Sequence, residues 1–177
     1  SSDWSSDVCS SDLYPHFIGN EGIEGEDSAG AAGRIQDVVD TYPEAEYFLI
    51  QYGTNDSSGF LPIPSGLGLA QGDDGYTGSY KDNMQQILDV VEAAGKRPIL
   101  AKVPVALRTC STCDLYEDPD SGYRNQLIKE YNLVIQELVE MNGISITPPD
   151  FYNYFLNHQD EFADQFLHPN EIGRAHV

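Results

Sequence analysis

Apolar positions in this chain follow two spacings, and the alternation between them outlines the elements. Residues 47–52 (YFLIQY) and 99–103 (ILAKV) are compact apolar runs, which predicts buried strands. Between and around them the apolar residues recur at helical intervals. Ile35, Val38, Val39 and Tyr42 share one face of a helix that opens at Ser28 and is stopped by Pro43. Met84, Ile87, Leu88 and Val91 mark a second helix, with Gly95 as its C-cap. Leu127, Tyr131, Val134 and Leu138 step by four, three and four, predicting the longest helix, which Gly143 ends. Short apolar runs at 14–19 and 144–147 read as further strands, and 151–162 as a last helical stretch. Strands alternating with helices imply an α/β layered domain on a parallel sheet. Ligands in such sheets bind beyond the carboxyl ends of the strands. The Gly-, Ser-, Asp- and Pro-rich stretch at 53–79 is a long loop at one such end, and loops of that length are usually functional or mobile.

Length and charge narrow the classes. The chain has 177 residues, enough for one domain with a sizeable core. Its 29 acidic against 9 basic residues leave a formal net charge of −20, with 40% hydrophobic residues, a globular composition and not a disordered one. So negative a surface repels phosphate backbones, and nucleic acid is not an expected partner. No apolar run approaches the roughly 18 residues a membrane span needs.

Both ends of the sequence are unusual. Ser-Ser-Asp occurs three times in residues 1–13. If Asp7-Val8-Cys9-Ser10-Ser11-Asp12 is encoded GAC GTG TGC TCT TCC GAT, the reverse complement translates as Ile172-Gly173-Arg174-Ala175-His176-Val177, matching the C-terminus residue for residue. The string resembles a short-read sequencing adaptor. Residues 1–13 and 172–177 are therefore read as non-native flanks of a domain at 14–171, expected to be truncated at both ends. Trp4, Cys9 and His176 are set aside from site reasoning. Codons that depart from this string would overturn that reading.

Three segments carry candidate chemistry. Asn20-Glu21-Gly22-Ile23-Glu24-Gly25-Glu26-Asp27-Ser28 follows the first apolar run, where glycines let backbone N–H groups approach a ligand; it is equally a strand-to-helix turn capped by Asp27 or Ser28. Tyr52-Gly53-Thr54-Asn55-Asp56 ends the best strand and offers a side-chain amide to a developing negative charge, though these are also turn residues. In Asp164-Gln165-Phe166-Leu167-His168-Pro169-Asn170, a carboxylate one turn before a histidine can hold the imidazole in the tautomer a general base needs. A surface histidine is the plainer alternative.

In order and strand-end context, the three segments together resemble the SGNH hydrolases, the GDSL esterase/lipase superfamily, across nearly all of residues 14–171. The resemblance implies a flavodoxin-like, three-layer α/β/α domain whose site performs acyl transfer on a carboxylic ester. Gly25 N–H and the Asn55 amide would form the oxyanion hole, worth about 3–4 kcal/mol per donor. The second segment matches through Gly53, Asn55 and Asp56, the last through His168 and Pro169. His168 would be the general base, oriented by Asp164, with no metal or organic cofactor. The expected substrate is a small-molecule, lipid or acylated-carbohydrate ester, its choice shaped by the loops at 53–79 and 105–122.

Two features depart from the family pattern. The acid stands three residues before the histidine in the family, but Asp164 stands four before His168, with Gln at 165. Both spacings share a helical face; an insertion at Phe166 with a displaced histidine is the alternative, and Asp160 is a distant fallback acid. The Gly-Asp-Ser nucleophile segment has no match between Leu13 and Asn20. Ser28 is the remaining candidate, too close to Gly53 to leave room for an intervening block. The expectation is a hydrolase fragment without its nucleophilic serine, inactive by itself. The rival from another class is a non-catalytic α/β binding domain for glycan or acyl ligands. A third reading takes the segments as plain turns of a generic α/β domain.

Cys110 and Cys113 form a CxxC in a loop, two thiols where zinc takes about four ligands. A local disulfide in an exported protein is the first reading and a pair of free thiols the second. Asp73-Asp74-Gly75 and Asp118-Pro119-Asp120 lack the spacing of a calcium loop and read as solvated acidic turns. Phe151, Tyr152, Tyr154 and Phe155 read as helix packing before they read as a ligand wall. Acidity and the CxxC lean towards a secreted or periplasmic location, without fixing it.

Overall fold

A computed structural model describes residues 17–58, 79–107 and 117–162. Helix α1 (Ser28–Thr41) leads to strand β1 (Tyr47–Ile50) and a 3₁₀ turn (Asp56–Ser58). Helix α2 (Tyr80–Ala93) and strand β2 (Arg97–Leu100) follow, then α3 (Tyr123–Met141), α4 (Phe151–Asn157) and a second 3₁₀ turn (Gln159–Glu161). Each helix start has a local cause. Asp27, not Ser28, caps α1 by accepting the Gly30 N–H at 2.8 Å. Ser79 and Asp150 accept from Asp82 and Asn153 in the same way. Gly122 has no capping side chain, and the buried Glu117 carboxylate instead accepts the Arg124 N–H at 2.8 Å. Gly95, one residue beyond the α2 cap at Ala94, takes φ 73°, so the expected helix stop lies one position later.

β1 and β2 pair in parallel, Tyr47 opposite Arg97 through Ile50 opposite Leu100. Ile50 and Leu100 turn into the core. There they meet α2, whose Met84, Ile87, Leu88 and Val91 are almost fully buried. α1 packs on α2 and α2 on α3, and α3 adds Ile128, Tyr131, Ile135 and Leu138 to the same core. On the other face of the pair, Tyr47 is 46% and Leu49 is 52% exposed.

The strand predicted at 99–103 is observed at Arg97–Leu100, starting two residues and ending three residues earlier. Beyond Leu100 the chain has little strand to pair with, and side-chain amides of α3 take over. Asn132 accepts the Val103 N–H at 2.7 Å and donates back to its carbonyl at 3.2 Å. Asn125 does the same for Ala106. These amides act as a partner strand for backbone that cannot remain unbonded inside the protein. The strand expected at 144–147 does not form. Ile144 and Ile146 are half-buried and Ser145 and Thr147 exposed, the correct alternation, but Pro148 and Pro149 bring no N–H. One carbonyl, Pro149, accepts from Lys102 N at 2.9 Å. The stretch at 151–162 divides into α4 and the 3₁₀ turn. Of the apolar run at 14–19, residues 17–19 are described and are not a strand; 14–16 lie outside the described residues.

Burial at the two faces of β1–β2 sets an expectation. Leu88→Ala should cost about 2–5 kcal/mol in urea unfolding. Leu49→Ala should stay within about 0.5 kcal/mol. Equal losses would mean that the outward face is covered.

Candidate active site

The segment carrying Gly25 and the segment carrying Asn55 meet at the carboxyl end of β1. Gly25 lies in the left-handed region at φ 77° and is exposed, inside a turn closed by Glu26 N–H on the Ile23 carbonyl. Gly53, at the foot of the other segment, has φ 125°, and a Cβ there would stand 2.5 Å from Val103 Cγ2. Only glycine permits this path from strand to loop. The Asn55 amide donates to the Glu26 carbonyl at 2.8 Å, on the residue next to Gly25. One N–H of that amide is thereby fixed, and its second N–H is the group available to a ligand.

Ser28 and Asp56 make the second joint. The Ser28 backbone N–H donates to both carboxylate oxygens of Asp56, at 3.3 and 3.2 Å, and the Ser28 hydroxyl donates to Oδ1. Asn83, from α2, donates to the same hydroxyl oxygen at 3.0 Å. Ser28 is 0% and Asp56 5% exposed. Burial pushes the Asp56 carboxyl up, against the lowering effect of the Ser28 hydrogen bonds. Tyr80 and Tyr131, ring centroids 4.3 Å apart, are pushed up by burial first and by the Asp56 charge second.

A third joint is ionic. Arg34, one side of α1, holds the Glu26 carboxylate with Nε and Nη2, each at 2.7 Å. Its Nη2 also donates to the Glu21 carbonyl, and the Tyr52 hydroxyl donates to Glu26 at 2.8 Å. The Arg34 hydrogen bond is the main reason the Glu26 carboxyl falls below its ordinary range. Burial and the Glu26 charge push Tyr52 up to about 12. From α3, the buried Arg124 braces the 53–58 segment by donating to Ser57 Oγ at 3.1 Å and to the Thr54 carbonyl at 2.7 Å.

Of the expected site residues, Gly25, Asn55, Asp56 and Ser28 are thus brought together at one strand end. His168, Pro169, Asp164, Cys110 and Cys113 lie outside the described residues. So do the two terminal flanks, Asp73-Asp74-Gly75 with the rest of 59–78, and 108–116 of the second long loop. Asp160, the fallback acid, is exposed in the second 3₁₀ turn. Sequence reasoning missed Arg34, Tyr52, Asn83 and Arg124. Arg34 and Arg124 had one available signal: they stand on, or three residues ahead of, a predicted helix in a chain with only 9 basic residues. Among the described residues no group of three His, Cys, Asp or Glu is placed to hold a metal ion, and no helix is long and apolar enough to cross a membrane.

The chain matches the model of the GDSL-like Lipase/Acylhydrolase family over residues 1–176, and it belongs to that family. A comparison with curated proteins gave no sequence match. Among solved structures it is similar to the psychrotrophic esterase EstA from a Pseudoalteromonas species, at 18% identity and a TM-score of 0.56, covering 85% of this chain and 66% of that one. A GDSL-like lipase from Bacteroides thetaiotaomicron gives 19% identity and 0.56, covering 87% and 68%. The acetyl xylan esterase AlAXEase gives 21% and 0.56, covering 88% and 74%. The chain thus spans about two thirds to three quarters of the length of these relatives, and the likeness establishes their fold, three-layer α/β/α on a parallel sheet.

Two outcomes follow from these joints. Ser28→Ala strips Asp56 and Asn83 of a buried partner and should cost about 1–3 kcal/mol in urea unfolding; a loss below 0.5 kcal/mol would mean that water replaces the hydroxyl. Glu26, with its lowered carboxyl, stabilises the fold above the ordinary carboxylate range, and that contribution fades as pH falls through the lowered value. Glu26→Gln should therefore be less stable than the parent at neutral pH, with the gap closing in acid. A gap independent of pH would assign the effect to packing.

Proposed function

We propose that this domain is the body of a serine ester hydrolase. Gly25 N–H and the second N–H of the Asn55 amide bind the oxyanion of a tetrahedral intermediate on a carboxylic ester. His168 takes the proton of a serine hydroxyl as that oxygen attacks the carbonyl, and returns it to the departing alcohol oxygen. Asp164 orients the imidazole and stabilises its charged form. A water then repeats the cycle on the acyl-enzyme and releases the acid. The observation that supports this most is the Asn55 amide bonded to the carbonyl beside Gly25, which sets two donors at one strand end before any substrate arrives.

Ser28 is not the nucleophile in this reading, because its hydroxyl is buried and committed to Asp56 and Asn83. The serine belongs to a Gly-Asp-Ser segment ahead of residue 14, with residues 1–13 and 172–177 read as non-native, and this chain alone turns over no ester. The substrate class is a small, lipid or acylated-carbohydrate ester. Membership in an acylhydrolase family and fold-level likeness to esterases, one of them an acetyl xylan esterase, support that range.

The test is to recover the genomic DNA around codons 14 and 171, express the domain with its upstream segment, and assay a short-chain aryl ester. The restored protein should hydrolyse it. His168→Ala should lower kcat by about 10⁴-fold or more, and Asn55→Ala by about 10²–10³-fold. The chain as given should be inactive. A restored protein that binds acyl or glycan ligands without turnover would make it a binding domain instead, and turnover by the present chain would place the nucleophile within it.

A further inference from the structure

We infer that Arg34 is a positioning residue for the two oxyanion donors, setting the distance between Gly25 and Asn55 through Glu26. The inference rests on the acyl-transfer reading above and adds a residue which that reading does not use. The segment from Glu21 to Glu26 has few regular hydrogen bonds of its own: one turn closed by Glu26 N–H on Ile23, and Gly22 N–H on the Asn20 side chain at 2.9 Å. Arg34 takes hold of both ends of it. Its guanidinium grips the Glu26 carboxylate in a fork and reaches the Glu21 carbonyl with the same Nη2. The loop bearing Gly25 is thereby pinned to a helix by three bonds from one planar group.

Glu26 is also where the other donor is fixed. Its carbonyl receives the Asn55 amide and its carboxylate the Tyr52 hydroxyl, and Tyr52 stands three residues before Asn55. A shift of Glu26 therefore moves Gly25 by covalent connection and loosens Asn55 by loss of its acceptor. Glu26 retains only 9% and Arg34 22% side-chain exposure, so water competes weakly for the fork. A lysine supplies the charge but not the fork, and can hold the carboxylate or the Glu21 carbonyl, not both in this geometry.

The experiment uses the ¹⁵N-labelled chain as it stands. In the parent, the two Asn55 amide protons should be well separated in shift, one bonded to Glu26 and one open. In Arg34→Gln, that separation should collapse and the Gly25 amide should shift, while core reporters such as Leu88 and Ile135 stay in place. Arg34→Lys should fall between the two, and it carries the test if Arg34→Gln unfolds. Gly25 and Asn55 signals that superpose on the parent in a folded variant overturn the inference. So does a displacement shared equally by Leu88 and Ile135, which marks general destabilisation. In the serine-restored protein, Arg34→Gln should lower kcat about 10- to 100-fold with KM changed less than about twofold. A KM effect with kcat preserved would overturn the inference. Absence of any esterase activity in the restored parent would sink the acyl-transfer reading alone, because the resonance measurement needs no turnover.

Discussion

A buried carboxylate holds the strand end together. Asp56 stands at the start of a 3₁₀ turn after β1, and it receives the first N–H of α1 and the hydroxyl beside it. The N-terminal turn of a helix presents unbonded N–H groups and a partial positive charge, so a carboxylate there satisfies both. Placing it inside the protein is costly, as its raised pKa records, and the site meets that cost with several donors rather than one cation. The path of residues 53–58 and the seat of α1 are therefore one structural fact. Without that anchor, neither Gly25 nor Asn55 has a reason to be where it is.

The sparse positive charge of the chain is spent at the same place. Acids outnumber bases 29 to 9, yet two arginines are committed to the loops beside the site. Arg34 holds the Gly25 loop from outside and Arg124 props the Asn55 loop from beneath. Both use main-chain carbonyls as well as side chains, so each works as a brace for backbone and not only as half of an ion pair. The opposite pKa shifts of Glu26 and Asp56 express the difference: one carboxylate is bonded to a guanidinium, and at the other burial outweighs its neutral donors.

The helices were legible because their faces are one-sided. The spacing at Met84, Ile87, Leu88 and Val91 and at Leu127, Tyr131, Val134 and Leu138 located α2 and α3, with Leu127 the one partly exposed member. Strand ends were less so, because pairing depends on the neighbour. Asn132 and Asn125 replace a strand beside 103–106, and nothing in the local pattern of either segment announces that. The motif residues Gly25, Asn55 and Asp56 were readable as types in order. Their joints were not: Arg34 to Glu26 spans eight positions, Asn83 to Ser28 fifty-five, and no periodicity relates them.

The joint between Asn55 and Glu26 runs from a side chain to a main-chain carbonyl, a group every residue carries. The side chain at 26 is thus released from that duty and can drift among relatives together with its partner at 34, while the amide at 55 keeps its acceptor. Across divergent sequences the pair at 26 and 34 should change in concert and position 55 should stand still. Half of this loop-to-loop hinge is then inherited as a coupled choice, and the other half comes with the backbone itself.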